Sequence, residues 1–419
     1  MKVLLLTSTF PKNNKDTVPS FVMDQIIKLK QNYAHMSFIV LVPHINDGLD
    51  IENSEHFTQV RYHYFFPNRY EKLAGRGIVP SIKENKLRIF LVPFYFIFQV
   101  LNTFSLVIKE KPDIIYAHWF TPQAISAYLA KLFFKIPYVF TTHAQDVIVL
   151  KKIPILGKLI AKLVIKNSKA WTNDSFSTEK RLIETIGQKN FNKNKSLVIP
   201  MPVDTDSYED SLSKRMHSLE KFKDGYNIVF IGRFAEIKGV ENLINIYQRL
   251  SKKHKNLNLI LCGEGPLRKK YEQTLKNAQI PNTKYLFTGF ISKEQKKSIY
   301  EFADLVVIPS IISDSGHKEG LPVVLLESLY FGKLILVSKY CNAEEVVEDS
   351  INGFFFDPLD YAESEAKIEE ILLLANDSKK KIENRAKKVG ENFTNENLSH
   401  KYYEHLFKHI EKIRLRDKN

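Results

Sequence analysis

The sequence predicts an α/β protein made of two doubly wound parallel sheets in succession. Three observations lead there. Short apolar runs without polar alternation, as strands covered on both faces require, alternate with amphipathic helical stretches. The alternation stops in a polar stretch at residues 205–225 and then restarts. The 419 residues also exceed the roughly 100–200 of one ordinary domain.

In the first half, Val3–Thr7, Phe38–Pro43, Ile114–Ala117, Tyr138–Thr142, Ala170–Thr172 and Leu197–Ile199 read as strands, with helices such as Ser20–Asn32 and Pro122–Phe134 between them. The apolar stretch Ile89–Ile108 approaches the roughly 20 residues of a bilayer span. Pro93, Gln99, Asn102, Thr103 and Ser105 interrupt it, which favours a helix packed under a sheet or partly against lipid. Residues 205–225 read as linker plus a polar helix. Strands then resume at Ile228–Ile231, Leu257–Cys262, Tyr285–Thr288, Leu305–Ile308 and Leu334–Ser338. The expected organisation is therefore a Rossmann-like domain over 1–205, a second over 206–385, and a C-terminal helix over 386–419 packing back toward the first. Ligands of such sheets bind beyond the carboxyl ends of the strands, so a cleft between the domains is the expected site.

Composition narrows the function classes. Hydrophobic residues make up 44% and charged residues 26%, which excludes a disordered chain. Two cysteines, Cys262 and Cys341, exclude a disulfide scaffold and a four-cysteine zinc site. The N-terminus reads as a buried first strand rather than a signal peptide, so a cytoplasmic location is expected. Net charge is +14, with 61 Lys+Arg against 47 Asp+Glu. Residues 1–205 hold 27 Lys+Arg and 15 Asp+Glu, a surplus of +12; residues 206–419 hold 34 and 32. The basic half calls for an acidic partner: nucleic acid, an anionic membrane or an acidic substrate. Residues 153–169 place Lys158, Lys162 and Lys166 four apart, on one helix face, with Ile155, Leu159 and Leu163 beside them. A basic amphipathic helix of this kind suits a membrane surface. No element interleaves aromatic and basic residues as nucleic-acid binding demands.

Five segments carry chemistry. Gly232-Arg233 through Lys238-Gly239 follows the first strand of the second half. Gly232 permits a sharp turn, and Arg233 and Lys238 then stand where a diphosphate would lie. Cys262-Gly263-Glu264-Gly265-Pro266 makes a tight strand-to-helix turn. Glu319-Gly320-Leu321-Pro322-Val323 leads into a helix expected over Pro322–Phe331. Its free amides form an anion site, and it contains Glu327 among leucines, where a carboxylate needs hydrogen bonds. In the first half, Thr141-Thr142-His143-Ala-Gln-Asp146 and Tyr116-Ala-His118-Trp119 end consecutive strands, with His143 and Asp146 suited to polar contact with a reacting group. No third ligand stands near the two histidines, so no metal site is expected there.

Taken together, these segments resemble glycosyltransferase family 4, retaining nucleotide-sugar transferases of the GT-B architecture. The resemblance spans nearly the whole chain and includes the Glu319 and Glu327 pair, eight apart. The stretch from Asp314 to Pro322 looks like bacterial members that build exopolysaccharide, capsule or lipopolysaccharide. The resemblance implies that Arg233 and Lys238 neutralise the diphosphate of the sugar donor, by default a UDP-sugar. Glu327 would bind its ribose, Glu319 would contact the transferred sugar, and Gly320, Leu321, Pro322 and Val323 would lie near sugar and phosphate, with Gly263 nearby. Phe290 would contact the base and His143 would lie beside the sugar. His118 and Asp146 are assigned to the acceptor. Retention by front-face attack requires no cofactor and no metal. Two departures stand out: the loop Phe10–Phe21 lacks glycine, and Met201-Pro202 replaces the usual Asn-Gly before Val203-Asp204.

The expected function is thus transfer of a hexose-type sugar to a lipid-linked or growing cell-surface glycan, by a protein held peripherally at the inner face of the cytoplasmic membrane. The alternatives are an epimerase or sugar-phosphate synthase acting on a soluble acceptor and, from a different class, a basic nucleic-acid binder or a non-catalytic subunit. The absence of a Gly-x-Gly-x-x-Gly after the first strand disfavours a dehydrogenase.

Overall fold

The structure is a computed structural model. It describes residues 1–12, 20–45, 48–75, 77–143, 154–205, 208, 216–313, 316 and 318–416. Two compact units divide the chain: Met1–Met201 with Leu398–Asn419, and Pro202–Asn397.

The first unit is an eight-stranded sheet of β1 (Lys2–Leu6), β2 (Ser37–Pro43), β3 (Ile51–Asn53), β4 (Phe57–Tyr62), β5 (Ile114–His118), β6 (Tyr138–Thr142), β7 (Trp171–Asn173) and β8 (Ser196–Val198), ordered β3-β4-β2-β1-β5-β6-β7-β8. All neighbours are parallel except β3 with β4. β1 lies centrally, with Leu4 opposite both Ile39 and Ile115. Its side chains alternate between two cores: Leu4 and Leu6 join one with Tyr138 and Phe140, while Val3 and Leu5 join the other with Val40 and Tyr116. Covering both faces is why these strands carry unbroken apolar runs. The helices are α1 (Phe21–Asn32), α2 (Ile78–Glu84), α3 (Val92–Glu110), α4 (Ile125–Phe134), α5 (Pro154–Asn167) and α6 (Phe176–Ile186). α4 starts three residues later than expected from Pro122, because residues 120–124 form a wide turn.

The second unit repeats the plan with six parallel strands, β9 (Tyr226–Ile231), β10 (Leu257–Cys262), β11 (Tyr285–Gly289), β12 (Leu305–Ile308), β13 (Leu334–Ser338) and β14 (Phe354–Phe356), ordered β11-β10-β9-β12-β13-β14. Helices α7 (Val240–Lys253), α8 (Arg268–Asn277), α9 (Lys293–Phe302), α10 (Val323–Tyr330), α11 (Tyr361–Leu373) and α12 (Asn376–Gly390) cover it. Apolar cores lie on both sides of this sheet. The α/β fold of two parallel-sheet domains is as the sequence predicts.

Three strands were not legible. β3 and β4 hide because β4 carries buried Gln59 and Arg61; Arg61 is satisfied by the carbonyls of Phe10, Pro11 and Pro43. β14 is only three phenylalanines long. The domain boundaries also differ from the expected 205 and 386. The first falls at Met201, and the chain returns to the first unit only at Leu398. α12 stays with the second unit because Gly390 packs on the Tyr330 backbone, where a Cβ would lie 2.2 Å from the Tyr330 nitrogen. Beyond it, α13 (Asn395–Tyr402) brings Leu398 and Tyr402, and the wide turn Tyr403–Phe407 before α14 (Lys408–Arg416) brings Leu406 and Phe407, into the core that holds Val3 and Leu5.

Among the described residues, one helical run, Lys86–Glu110, is long and apolar enough by composition to cross a membrane. It packs on the sheet through one face, where Tyr95, Leu106 and Val107 join the core of Leu4, Leu41 and Tyr62. α3 buries Tyr95, Gln99 and Thr103 and turns Phe94, Ile97, Phe98, Leu101 and Ile108 outward. On α5, likewise, Ile155, Leu159 and Leu163 are exposed rather than packed.

Candidate functional site

In the second unit, backbone hydrogen bonds tie the carboxyl ends of four strands together. The Gly232 amide donates to the Cys262 carbonyl, the Gly263 amide to Gly289 and the Ile311 amide to Ile237, each at 2.9 Å. Two glycines make this possible. Gly239 has φ +63° and a Cβ there would stand 1.8 Å from the Pro309 oxygen; Gly263 has φ +143° and its Cβ would meet the Gly232 oxygen at 1.9 Å. No other residue allows such approaches without displacing backbone. Because its amide is consumed by Gly289, Gly263 offers room to a ligand rather than an N–H.

On this platform the structure brings Lys238 and Glu319 into an ion pair, with both side chains partly buried. Ser310, at the end of β12, donates to the other carboxylate oxygen of Glu319, and the Asn342 amide donates to the Glu319 carbonyl at 3.3 Å. Arg233 is exposed and has no ion-pair partner among the described residues. Gly320 and Leu321 lead to α10, where Pro322 is extended (φ −69°, ψ 133°) and occupies the N-cap rather than the first helical position expected for it. Pro322 supplies no side-chain cap, and the Leu325 amide turns back to the Pro322 carbonyl at 3.0 Å, so among the described residues the Val323 and Val324 amides are the ones left for an anion. Val323 is itself 38% exposed, and Phe290, after β11, is 76% exposed. Burial next to Glu319 pushes the Cys341 thiol up to about 12, so it stays protonated.

Glu327, expected to bind the donor ribose, already has hydrogen-bond donors within the protein. It is only 4% exposed, but Lys296 Nζ donates to it at 2.6 Å, Tyr300 at 2.7 Å and Tyr208 at 3.2 Å. Burial and the charge of Glu327 raise both phenols well above their ordinary range, so both remain protonated donors. Glu327 is therefore satisfied by the protein, and a ribose would compete for or add to this set.

The first unit gathers a second cluster. His118 ends β5 and His143 follows β6; the strands pair with His118 opposite Thr141. The rings stack at 21° with His118 Nδ1 3.5 Å from His143 Nε2, and Asp174, after β7, lies 3.5 Å from His143 Nδ1. Thr178 and Ser175 hydroxyls donate to Asp174. Burial opposes the charge on Asp174, but His143 and these hydroxyls outweigh it and hold its carboxyl below the usual range. Burial, and then His143, lower His118 well below an ordinary histidine. His118 is thus neutral at pH 7, and its buried Nε2 has no hydrogen-bond partner among the described residues. Phe21 and Trp119 pack on His143 with centroids at 5.5 and 4.9 Å, and Trp119 has the unusual φ of +76°, the kind of strain that collects at functional sites. Asp146 lies outside the described residues.

Sequence reasoning missed Asp174, Ser310, Lys296, Tyr208 and Tyr300. Only Asp174 left a signal, since Asn173-Asp174-Ser175 stands at a strand's carboxyl end just before a helix.

The family model described as glycosyl transferases group 1 matches residues 213–389, and that of glycosyltransferase family 4 matches residues 58–207. A glycosyltransferase of Methanocaldococcus jannaschii is 27% identical over 398 residues, covering 88% of this chain and 96% of its own. A second from that organism is 30% identical over 152 residues, 36% of this chain and 37% of the relative. An α-1,4-N-acetyl-D-galactosaminyltransferase of Campylobacter jejuni, named for a glycan on PP-undecaprenol, is 30% identical over 168 residues, 40% of this chain and 44% of its own. Among solved structures, Anabaena HepE in complex with UDP aligns with a TM-score of 0.70 at 17% identity, covering 96% of this chain and 99% of that one. Sucrose-phosphate synthase from Thermosynechococcus elongatus aligns with a TM-score of 0.72 at 14% identity, covering 100% of both chains. At these identities the structural likeness is one of fold.

Proposed function

Given that the chain belongs to glycosyltransferase family 4, with the GT-B fold, we propose that it moves a hexose-type sugar, with retention, from a nucleotide-diphosphate sugar to a lipid-linked or growing cell-surface glycan at the cytoplasmic face of a membrane. The observation that carries this reading is the Lys238–Glu319 pair beside the start of α10 and Arg233, which has no ion-pair partner among the described residues. Arg233, Lys238 and the α10 amides stabilise the negative charge that grows on the departing diphosphate, the type of preorganised stabilisation that dominates many rate enhancements. Glu319, oriented by Ser310, accepts hydrogen bonds from the transferred sugar's hydroxyls. As the anomeric carbon–oxygen bond to phosphate breaks, the acceptor hydroxyl attacks the same face and gives its proton to the departing phosphate oxygen. These residues supply their own cations, so donor binding is expected without a metal. His143, aligned by Asp174, serves as a polar contact to sugar.

The outward apolar face of α3 supports a lipid-associated acceptor. α3, α4 and α5 are neighbours in one layer; α4 adds Leu132 and Phe133, exposed by 54% and 70%. A cavity of about 380 Å³ next to them is lined by Lys162, Lys166, Lys189 and Lys195 together with Leu159 and Leu163. Lysines beside exposed leucines suit an anionic lipid surface, each adding on the order of 1 kcal/mol. The name of the Campylobacter relative points to a diphosphate-linked lipid as well.

Screening nucleotide sugars for thermal stabilisation tests the donor assignment. A ligand at 100 times its Kd stabilises by about 2.7 kcal/mol, a shift of several degrees. Arg233→Ala and Lys238→Ala should weaken the best binder at least about tenfold, as loss of a charge-assisted contact does. No stabilisation by any nucleotide sugar, or wild-type binding in both variants, would refute the reading.

A further inference from the structure

His44 directly follows β2 and His63 directly follows β4. These strands are parallel with Pro43 opposite Tyr62, so the two histidines emerge side by side, ring centroids 4.1 Å apart. The loop after β4 returns Glu71 beneath them. One Glu71 oxygen accepts the amides of Tyr64 at 2.5 Å and Phe65 at 3.0 Å. The other faces His44 Nδ1 at 2.6 Å and His63 Nδ1 at 2.9 Å.

We propose that His44, His63 and Glu71 form a binding site for one divalent transition-metal ion of the zinc class, with a fourth position open to solvent. The donor atoms lie within 4.8 Å of one another. Zinc bonds to nitrogen and oxygen of about 2.0–2.2 Å place tetrahedral ligands roughly 3.3 Å apart, so opening the cluster by a few tenths of an ångström admits the ion. Both imidazoles converge on one Glu71 oxygen while the other is clamped by the Tyr64 and Phe65 amides. The supporting contacts are those a metal site uses to fix its ligands. His63 Nε2 lies 3.2 Å from Asp50 Oδ1. When the metal takes both Nδ1 lone pairs, the imidazole protons reside on Nε2, and that of His63 is donated to Asp50. The Glu71 side chain is fully buried, that of His44 is 12% exposed and that of His63 38%, which leaves an entry path on the His63 side. The charges of Glu71 and Asp50 balance a divalent cation.

The test uses the full chain without a polyhistidine tag, stripped with chelator and titrated with zinc chloride, with cobalt chloride as a spectroscopic probe. The proposal expects one zinc per chain, a cobalt visible spectrum of four-coordinate intensity that zinc abolishes, and weaker binding as pH falls and the imidazoles protonate. His63→Ala should lose at least about tenfold in affinity, and the exposed Asp50→Asn about tenfold, as removal of an outer-shell partner does. Because Glu71 is buried and its loss could unfold the loop, the wild-type stoichiometry and cobalt spectrum carry the decision alongside these two variants. Well under one zinc bound per wild-type chain, an octahedral-type weak cobalt spectrum, or equal binding in His63→Ala would overturn the site.

Discussion

Lys238 and Glu319 neutralise one another, and a diphosphate would share the lysine's charge with the carboxylate. Glu319→Gln keeps the hydrogen bond from Ser310 but removes the charge, so it should bind a nucleotide sugar about as tightly as wild type while transferring more slowly, a split visible in KM against kcat. His118 makes a separate prediction. Its folded-state affinity for protons is depressed by burial and by His143, so between its lowered value and the ordinary 6.5 the unfolded chain binds more protons. Stability must therefore fall as pH drops through 6.5, by at most about 1.4 kcal/mol per pH unit for this one group. His118→Gln should flatten that slope in urea titrations at pH 5–7. An unchanged slope would mean that another group is responsible. Arg233, Lys238 and Glu319 were legible as candidates because each follows a strand or precedes a helix. Asp174 and Ser310 were not, because they act on residues 31 and 9 positions away, and no local spacing reports such a contact. Lys296 escaped for the same reason, and with it the protein's own donors to Glu327.

At the scale of elements, the glycine contacts decide whether the strand ends can meet. Gly239→Ala must take φ +63° with its Cβ against the Pro309 carbonyl. A cost of about 1–3 kcal/mol from the backbone conformation, plus the displacement of Pro309, is expected. At roughly 2–4 °C per kcal/mol, that lowers the melting temperature by several degrees. α3 is the converse case, a helix whose polar Gln99 and Thr103 are buried and whose Ile97 and Leu101 face out. Its apolar composition was legible; the direction of its faces was not, since Gln99 is held by Tyr62 and Ser126, far away in sequence. The central strands were readable because burial on both faces leaves them uniformly apolar. β4 was not, because Arg61 satisfies its charge on carbonyls, which is invisible in a pattern of residue types.

For the whole molecule, the +14 charge resolves into a basic first half and a nearly neutral second half. Under the proposed function, the sugar donor's phosphates would fall to a few placed cations and the basic surplus to the acceptor and the membrane. Full-length protein should sediment with anionic vesicles and be released near 1 M salt, where screening acts within about 3 Å. Ile97→Glu with Leu101→Glu should abolish sedimentation without loss of melting temperature, because both side chains are exposed. Equal binding to neutral vesicles, or none to either, would remove the membrane from the account. The central claim, sugar transfer from a nucleotide sugar through Lys238 and Glu319, is tested most directly by the transfer rate from the best-binding nucleotide sugar, with the product's anomeric configuration read by NMR. The account predicts a product with the donor's configuration and a rate reduced about 10²–10³-fold in Lys238→Ala and Glu319→Ala, the loss typical of removing a transition-state contact. An inverted product, or wild-type rates in both variants, would contradict it.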